Sequence, residues 1–381
     1  MYKNSNNVSF NQKWKLVDIS DNEINELASK LNIRPILAKI LIARNIGNKN
    51  TEEILKFLHP AESLITDTKN ISTEEEIYKA ITRIQKALAT KEPILVNGDP
   101  DADGITGVTI LVAALRYLGA NVSHDFPIRP VEGHGLKPRI IDDAHKNKVK
   151  LIVTTDCGTK ELVAINYAKS LGIDVIVTDH HILGKKLPEA HAIINPYLIK
   201  GPSLHKKLSG AAVAFKLVLA IFNHLGQEIP EQLYEYLLSL AALGTISDRM
   251  PLTNIVNRAI VLRGVEEINK TKKAGLKALR NLSSAGITVL KPRDISRTII
   301  PRLNAPGRIG NPKENIPDSK VAVELLLLGS SKKNQQKANK MLSFFNSAFD
   351  IQKDAKHSDP AIKEAALVED VNEQRKYITS K

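Results

Sequence analysis

The residues of this sequence that could do chemistry are acids and histidines, and nearly all of them follow directly on an apolar run. They are Asp99, Asp101, Asp103, Asp156, Asp179, His180, His181 and Asp248. If the apolar runs are strands of an open parallel sheet, these residues lie at its carboxyl edge, where ligands bind. Carboxylates and imidazoles gathered there suit divalent metal ions. The pattern therefore predicts a metal-dependent hydrolase.

The first group is the motif N-G-D-P-D-A-D-G at 97–104, which lies between an apolar run and a helical stretch. Its aspartates occupy alternate positions, Asp99, Asp101 and Asp103, and carboxylates at every second loop position can gather oxygen ligands around a hard cation. A simpler interpretation is a helix N-cap with acidic residues in the first turn, which would account for one or two of the three. A metal site is the hypothesis that accounts for all of them.

Three further motifs add to this group: T-T-D-C-G-T at 154–159, T-D-H-H at 178–181 and G-T-I-S-D at 244–248. By itself Asp156 could be an Asx-turn residue, and Asp248 alone carries little weight. Adjacent histidines after a strand point in opposing directions, so one of His180 and His181 is expected to bind metal while the other reaches a bound phosphate. The whole set is sufficient for two metal ions about 3.5 to 4 Å apart, an arrangement that favours phosphodiester hydrolysis.

The elements that must position these residues alternate along the chain. Short β-like runs at 93–97, 120–126, 150–155, 174–178 and 192–195 are separated mostly by amphipathic helices. This alternation predicts βαβ units and therefore an α/β fold, a doubly wound parallel sheet with right-handed crossovers.

The predicted domain organisation places a catalytic domain between two flanking segments. A helical N-terminal extension covers 1–70, and the catalytic domain covers 71–345, with its sheet core at about 90–200 and a helical part at about 208–345. A linking helix and a charged tail occupy 346–381. The segment at 293–311 contains two prolines and two glycines and is predicted to be a polar, arginine-rich loop.

Composition limits the classes of protein. The chain has 381 residues, 43% of them hydrophobic, and no apolar stretch approaches the length of a membrane span, so the cytoplasm is the expected compartment. The single cysteine, Cys157, excludes an internal disulfide framework or a multi-cysteine metal site. A net charge of +13 indicates a polyanionic partner, although a lysine-rich proteome would also produce it. Nothing indicates an oligomer, and a monomer is the default.

The motifs together resemble a known family. The runs V-N-G-D-P-D-A-D-G-I-T-G, T-T-D-C-G-T, T-D-H-H, L-S-G-A-A-V-A-F-K-L, A-L-G-T-I-S-D and P-R-L-N-A-P-G-R occur in the order found in the DHH phosphoesterase superfamily. Within it, the sequence is most similar to the RecJ-type exonucleases of bacteria, over about 93–310. The resemblance implies hydrolysis of single-stranded DNA from the 5′ end with two Mn²⁺ or Mg²⁺ ions, in DNA repair and recombination.

The resemblance also implies residue roles. Asp99 would orient the site and His181 would contact the scissile phosphate. The implied metal ligands are Asp101, Asp103, Asp156, His180 and Asp248. Three arginines would bind DNA phosphate, because a guanidinium matches phosphate oxygens: Arg129, Arg302 and Arg308. For each arginine, an ion pair that stabilises the fold is the simpler alternative. His134 stands where the family usually has a tyrosine.

Other functions stay open. Family members continue into further C-terminal domains, and the sequence ends in what resembles the linking helix, so a shortened exonuclease or a remnant of the catalytic half is expected. A phosphodiesterase for short oligonucleotides or cyclic dinucleotides, or a pyrophosphatase, would use the same metal chemistry. A non-catalytic module that binds DNA or a partner is a further alternative. A single-strand-binding protein or a helicase is an expected partner, besides single-stranded DNA itself.

Overall fold

The five predicted β-like runs form one parallel sheet in the computed structural model. Its strands are β1 (Ile94–Gly98), β2 (Val122–Asp125), β3 (Leu151–Thr155), β4 (Asp174–Thr178) and β5 (Ala192–Ile194). Their order is β2-β1-β3-β4-β5, and each neighbouring pair is parallel. In this order the chain reverses direction across the sheet between β1 and β3, and that switch point leaves a crevice at the carboxyl ends of the two strands.

Helices cover both faces of the sheet, as the predicted α/β fold requires. On β1, Ile94 and Val96 face one hydrophobic core while Leu95 faces the other, because successive side chains of a strand point to opposite faces. The larger core includes α5 (Glu74–Thr90) and α6 (Ala102–Tyr117), and the smaller one includes α8 (Pro138–Lys146) and α9 (Leu162–Ser170). A one-turn helix, α7 (Arg129–Glu132), precedes α8.

The structure describes residues 17–46, 49–283, 288–310 and 318–354, with side chains of the last helix described to residue 347. The chain divides into two compact units, with the boundary between Pro60 and Ala61. The predicted charged tail beyond 354 lies outside the described residues. No helix in the described part of the chain combines the length and apolarity that crossing a bilayer requires.

The N-terminal unit is helical, as predicted. It contains α1 (Asp21–Leu31), α2 (Pro35–Ala43) and α3 (Thr51–Leu58) around its own small core. A capping box between Ser20 and Glu23 begins α1. The unit ends N-terminal of the predicted boundary at residue 70, because α4 (Ser63–Thr66) places Ile65 in the core of the larger unit.

The predicted helical part after residue 208 packs on the larger core. Its helices are α10 (Gly210–His224), α11 (Glu231–Ser247), α12 (Ile255–Lys270), α13 (Ala274–Ser283), α14 (Pro292–Ile309), α15 (Lys320–Leu327) and α16 (Lys332–Asp354). Both α10 and α11 contact α6, the helix that follows the acidic motif. The C-terminal end of α11 therefore comes close to the carboxyl edge of the sheet and brings Asp248 with it.

The prediction of a loop at 293–311 is wrong, because α14 is a helix that runs through both of its prolines, Pro301 and Pro306. Each internal proline removes one main-chain hydrogen bond. The helix persists because Ile295, Ile299 and Leu303 recur at every fourth position and are fully buried. Burial of this apolar stripe outweighs the weak local propensity.

Candidate metal centre and active site

The acidic motif turns sharply from β1 into α6. Asp101 is the N-cap of α6, since its Oδ1 accepts the N–H groups of Asp103 at 2.9 Å and Gly104 at 3.2 Å. The capping interpretation therefore holds for Asp101. Gly104 is required by the turn, because a Cβ there would lie 2.1 Å from the carbonyl oxygen of Asp99.

Three helices converge on Asp103. Its carboxylate is buried and accepts the first N–H groups of α10, from Gly210 at 2.8 Å and Ala211 at 3.0 Å. Gly244 of α11 is equally close, since a Cβ on it would lie 2.3 Å from Oδ1 of Asp103. Burial raises the pKa of Asp103 to about 6, despite the opposing charge of His180. The N-terminus of α10 stabilises the ionised form.

The centre of the cluster is Nε2 of His180. It lies 3.0 Å from Oδ1 of Asp156, 3.6 Å from Oδ2 of Asp248 and 3.9 Å from Oδ2 of Asp103. His180 and Asp156 lie just after β4 and β3, Asp248 is the C-cap of α11 and Asp103 lies in the first turn of α6, so these residues meet only in the folded chain. The geometry brings together four of the five predicted metal ligands around one imidazole nitrogen.

Asp156 joins this group through an unusual backbone conformation. Its φ is +61°, and its N–H donates to the carbonyl of Thr178 at 3.0 Å. A non-glycine residue in the left-handed region is strained, and such strain persists where the surrounding structure holds it. The neighbouring α10 can approach because Gly210 has no Cβ; one would lie 2.6 Å from Cβ of Asp156. Burial, and then the neighbouring aspartates, raise the pKa of Asp156 well above its usual range.

Asp179 holds the two histidines in place. Its Oδ1 accepts the backbone N–H groups of His180 at 2.7 Å and His181 at 3.1 Å, and lies 2.8 Å from Nδ1 of His181. Burial alone would raise the pKa of Asp179, but the hydrogen bond and the charge of His181 hold it below its usual range. The same hydrogen bond raises the pKa of His181. The sequence placed Asp179 in the cluster without assigning it this role.

Replacing Asp179 by asparagine is expected to lower kcat about 10- to 100-fold, because an asparagine of similar shape cannot accept from all of these donors and His181 loses its orientation. Steady-state hydrolysis of single-stranded DNA, the substrate that the family resemblance implies, measures the effect. The same substitution should have little further effect in a His181→Ala background, since the two residues act as a pair. Additive losses in the double variant would contradict this positioning role.

Sequence reasoning missed the partner of Asp99. Nδ1 of His134 lies 2.8 Å from Oδ1 of Asp99, and the imidazole is 57% exposed at the rim of the site. Burial and the charge of Asp101 raise the pKa of Asp99, while His134 and Arg129 oppose that rise. The sequence offered one signal for this contact: His134 stands where the family that the sequence resembles usually has a tyrosine.

The acidic loop, residues 99–101 between β1 and α6, is also held in position by α14. The sequence predicted a loop where α14 forms. Oδ1 of Asn304 accepts the N–H of Ala102 at 2.7 Å. Gly307 lies against the carbonyl of Pro100, where a Cβ would be 1.9 Å from the oxygen, and the Ser319 hydroxyl donates to the same carbonyl at 3.0 Å. The motif P-R-L-N-A-P-G-R therefore serves to position the acids.

Comparison with known proteins identifies the family. The family model described as DHH family, N-terminal domain, matches residues 93–245. The single-stranded-DNA-specific exonuclease RecJ of Bacillus subtilis (strain 168) is 34% identical over 297 residues, which cover 78% of this chain and 36% of that protein. A crystal structure of exonuclease RecJ bound to manganese is 30% identical, with a TM-score of 0.63, and the match covers 75% of this chain and 70% of that one. The chain belongs to the RecJ family.

RecJ of Escherichia coli (strain K12) is 34% identical over 324 residues, covering 82% of this chain and 53% of that protein. The RecJ-family chain thus spans about half the length, or less, of these curated relatives. The residues that match the family model include the acidic motif and the histidine pair but end before Asp248. The case for Asp248 and α14 is therefore geometric.

The three predicted DNA-binding arginines of the RecJ-family chain differ in surroundings. Arg129 is half-buried in α7, close enough to Asp99 for its charge to lower the pKa of that carboxyl. Arg308 is exposed in the last turn of α14. Arg302 donates to Oδ1 of Asn346 at 2.9 Å and to the carbonyl of Thr298, which ties α14 to α16. Its contacts are those of a residue that stabilises helix packing.

The cluster of the RecJ-family chain fits divalent cations. Three groups of ligand atoms each lie within 4.8 Å of one another: Asp156, His180 and His181; Asp103, His180 and Asp248; and Asp99, Asp101 and Asp156. Oδ2 of Asp248 is buried without a hydrogen-bond partner among the described residues. Crowded buried carboxylates with raised pKa values are stabilised when cations neutralise them. The carboxylates, which are most of these donors, suit Mn²⁺ and Mg²⁺.

Proposed function

We propose that this chain carries the catalytic centre of a metal-dependent phosphodiesterase that hydrolyses single-stranded DNA from its 5′ end. Two divalent cations, Mn²⁺ or Mg²⁺, are its cofactors. The observation that carries the proposal is the convergence of Asp103, Asp156 and Asp248 on Nε2 of His180, within 3.0 to 3.9 Å. Carboxylates from three distant segments are crowded there at a cost that bound cations would offset.

The metal ligands in this proposal are Asp101, Asp103, Asp156, His180 and Asp248. Divalent cations bound there would supply Lewis acidity for a phosphodiester and a water of low pKa. Asp99, held by His134, orients the acidic loop. His181, whose protonated form is stabilised by Asp179, would donate to a phosphate oxygen at the scissile bond.

Charge supports a polyanionic substrate. The net charge of the chain is +13, although the cavity at the site is lined by carboxylates. Arg129 and Arg308 are proposed to contact backbone phosphate beside the site, and Arg302 is proposed as a weaker contact because α16 already holds it. A protein partner such as a single-strand-binding protein or a helicase stays a prediction.

The test is to incubate the purified chain with 5′-labelled and 3′-labelled single-stranded DNA, and with blunt duplex DNA, in Mn²⁺, in Mg²⁺ and in EDTA. Hydrolysis that starts at the 5′ end of single strands, requires a divalent cation and leaves the duplex intact is expected. Cleavage of dinucleotides or cyclic dinucleotides in preference to longer strands would favour the short-oligonucleotide phosphodiesterase instead. Binding without cleavage in either metal would favour the non-catalytic module and overturn the proposal.

A further inference from the structure

The cavity at the carboxyl edge of the sheet has a volume of about 330 Å³ and is strongly acidic. Its lining includes six carboxylates: Asp99, Asp101, Asp156, Glu161, Asp179 and Asp248. Among the described residues that line it, Lys160 is the one lysine, and there is no arginine. Among these lining residues, the side chains that can carry positive charge toward a substrate phosphate are His134, His181 and Lys160.

Lys160 follows the motif that presents Asp156, on the short segment between β3 and α9. The aliphatic part of the Lys160 side chain passes Gly184, where a Cβ would lie 3.9 Å from Cγ of Lys160. The side chain therefore runs between the segment that carries Asp156 and the loop that follows His181. The residue is exposed. It therefore lies on the entrance side of the cavity, within the reach of a bound strand.

The ammonium group of Lys160 has no ion pair in the described part of the chain, although carboxylates surround the cavity. Its neighbour Glu161 is turned elsewhere: Oε2 accepts the backbone N–H of Lys160 at 3.2 Å, and Oε1 packs so close to Gly135 that a Cβ there would lie 2.1 Å away. By contrast Lys169, on the following helix, forms an ion pair with Glu189 at 2.7 Å. Among the described residues, Lys160 is thus a cation at the site without an ion-pair partner.

We propose that Lys160 is a substrate-binding residue that contacts a backbone phosphate of the single strand at the entrance to the active-site cavity. The inference rests on the proposed nuclease function and assigns to this site a phosphate contact beyond the arginines and His181. A lysine binds phosphate as a mobile point charge, without the fixed fork of an arginine, so its contribution is chiefly to affinity.

Replacing Lys160 by alanine is expected to raise KM for single-stranded DNA about 5- to 30-fold, the loss of one charge-assisted hydrogen bond, with kcat changed less than about threefold. The slope of log K against log salt concentration should become shallower by about 0.7, the value for one phosphate contact on a single strand. Catalytically inactive protein, for example in Ca²⁺, allows the salt dependence to be measured by fluorescence anisotropy of a labelled oligonucleotide.

Two further variants complete the experiment. Lys160→Arg should restore the salt slope and most of the affinity, because the positive charge is retained. Lys169→Ala, which removes a nearby lysine of equal charge outside the cavity, should leave KM, kcat and the salt slope unchanged. The three variants are compared with the wild-type chain under identical salt and metal concentrations, since affinities for DNA depend strongly on both.

The inference is overturned if Lys160→Ala leaves KM and the salt slope at wild-type values, or if it lowers kcat alone, because the lysine would then act on the acidic cluster rather than on the strand. It is also overturned if Lys169→Ala has an equal effect, since the contribution would then be one of general charge. Failure of the proposed function is a separate result: the wild-type chain itself would not degrade single strands.

Discussion

Replacing Asp156 by asparagine is expected to lower the rate of single-strand hydrolysis at least about 10³-fold at saturating Mn²⁺. Asp156 belongs to two of the three groups of ligand atoms, and its Oδ1 lies 3.0 Å from Nε2 of His180. Its loss would weaken both cation positions and the charge stabilisation that they supply to the phosphoryl centre. Steady-state rates with labelled single-stranded DNA, together with calorimetric titration of Mn²⁺, measure the two effects.

The same substitution is expected to leave metal-free protein folded and at least as stable as the wild type. The pKa of Asp156 is raised in the folded chain, so the ionised carboxylate opposes folding at neutral pH, and a neutral asparagine relieves that cost. Asp18→Asn, at an exposed position of the N-terminal unit, is the matched control and should be fully active. An Asp156→Asn variant that keeps activity within tenfold of the wild type would exclude the proposed metal centre.

Replacing Gly307 by alanine is expected to lower kcat about 10²-fold, although the residue has no chemistry of its own. The added Cβ would lie 1.9 Å from the carbonyl oxygen of Pro100 and 2.7 Å from the hydroxyl of Ser319, so either α14 or the acidic loop must move. A displacement of about 1 Å at a catalytic group can lower a rate by this factor. The free energy of unfolding should also fall by about 1 to 3 kcal/mol.

A second glycine separates these two effects. A Cβ on Gly275 of α13 would likewise lie 1.9 Å from a carbonyl oxygen, that of Leu325, but it touches no residue of the site. Gly275→Ala is therefore expected to lower stability by a similar amount and to leave kcat near the wild-type value below the unfolding transition. Equal losses of kcat in both variants would contradict the positioning role of α14, because the loss would then follow from stability alone.

The α/β fold was predictable because its signals are local. The five strands are short apolar runs, and their buried residues alternate between two cores as a sheet covered on both faces requires. The placement of acids at strand ends was predictable for the same reason, since the carboxyl ends of parallel strands share one edge. The order β2-β1-β3-β4-β5 then brings Asp99 and Asp156 together at the switch point.

The prediction of a loop at 293–311 failed because it gave more weight to the two prolines than to the helical spacing of the apolar residues. Pro301 and Pro306 each disrupt a helix locally. The helical spacing of Ile295, Ile299 and Leu303 stabilises a helix only when another part of the protein buries these side chains. The packing of α14 on the rest of the unit supplies that surface. Asn304 and Gly307 could be recognised as part of a motif, but their contacts with the acidic loop could not be predicted.

By itself, then, the sequence determined the fold class, the edge of the sheet that carries the site and the residue types gathered there. Only the tertiary structure decided that Asp248 reaches His180 from α11, that α10 donates its first N–H groups to Asp103 and that Asn304 holds the N–H of Ala102. Strand and helix patterns depend on neighbours a few residues apart in the chain. These contacts join segments far apart in sequence, and the packing of helices on the sheet sets their distances.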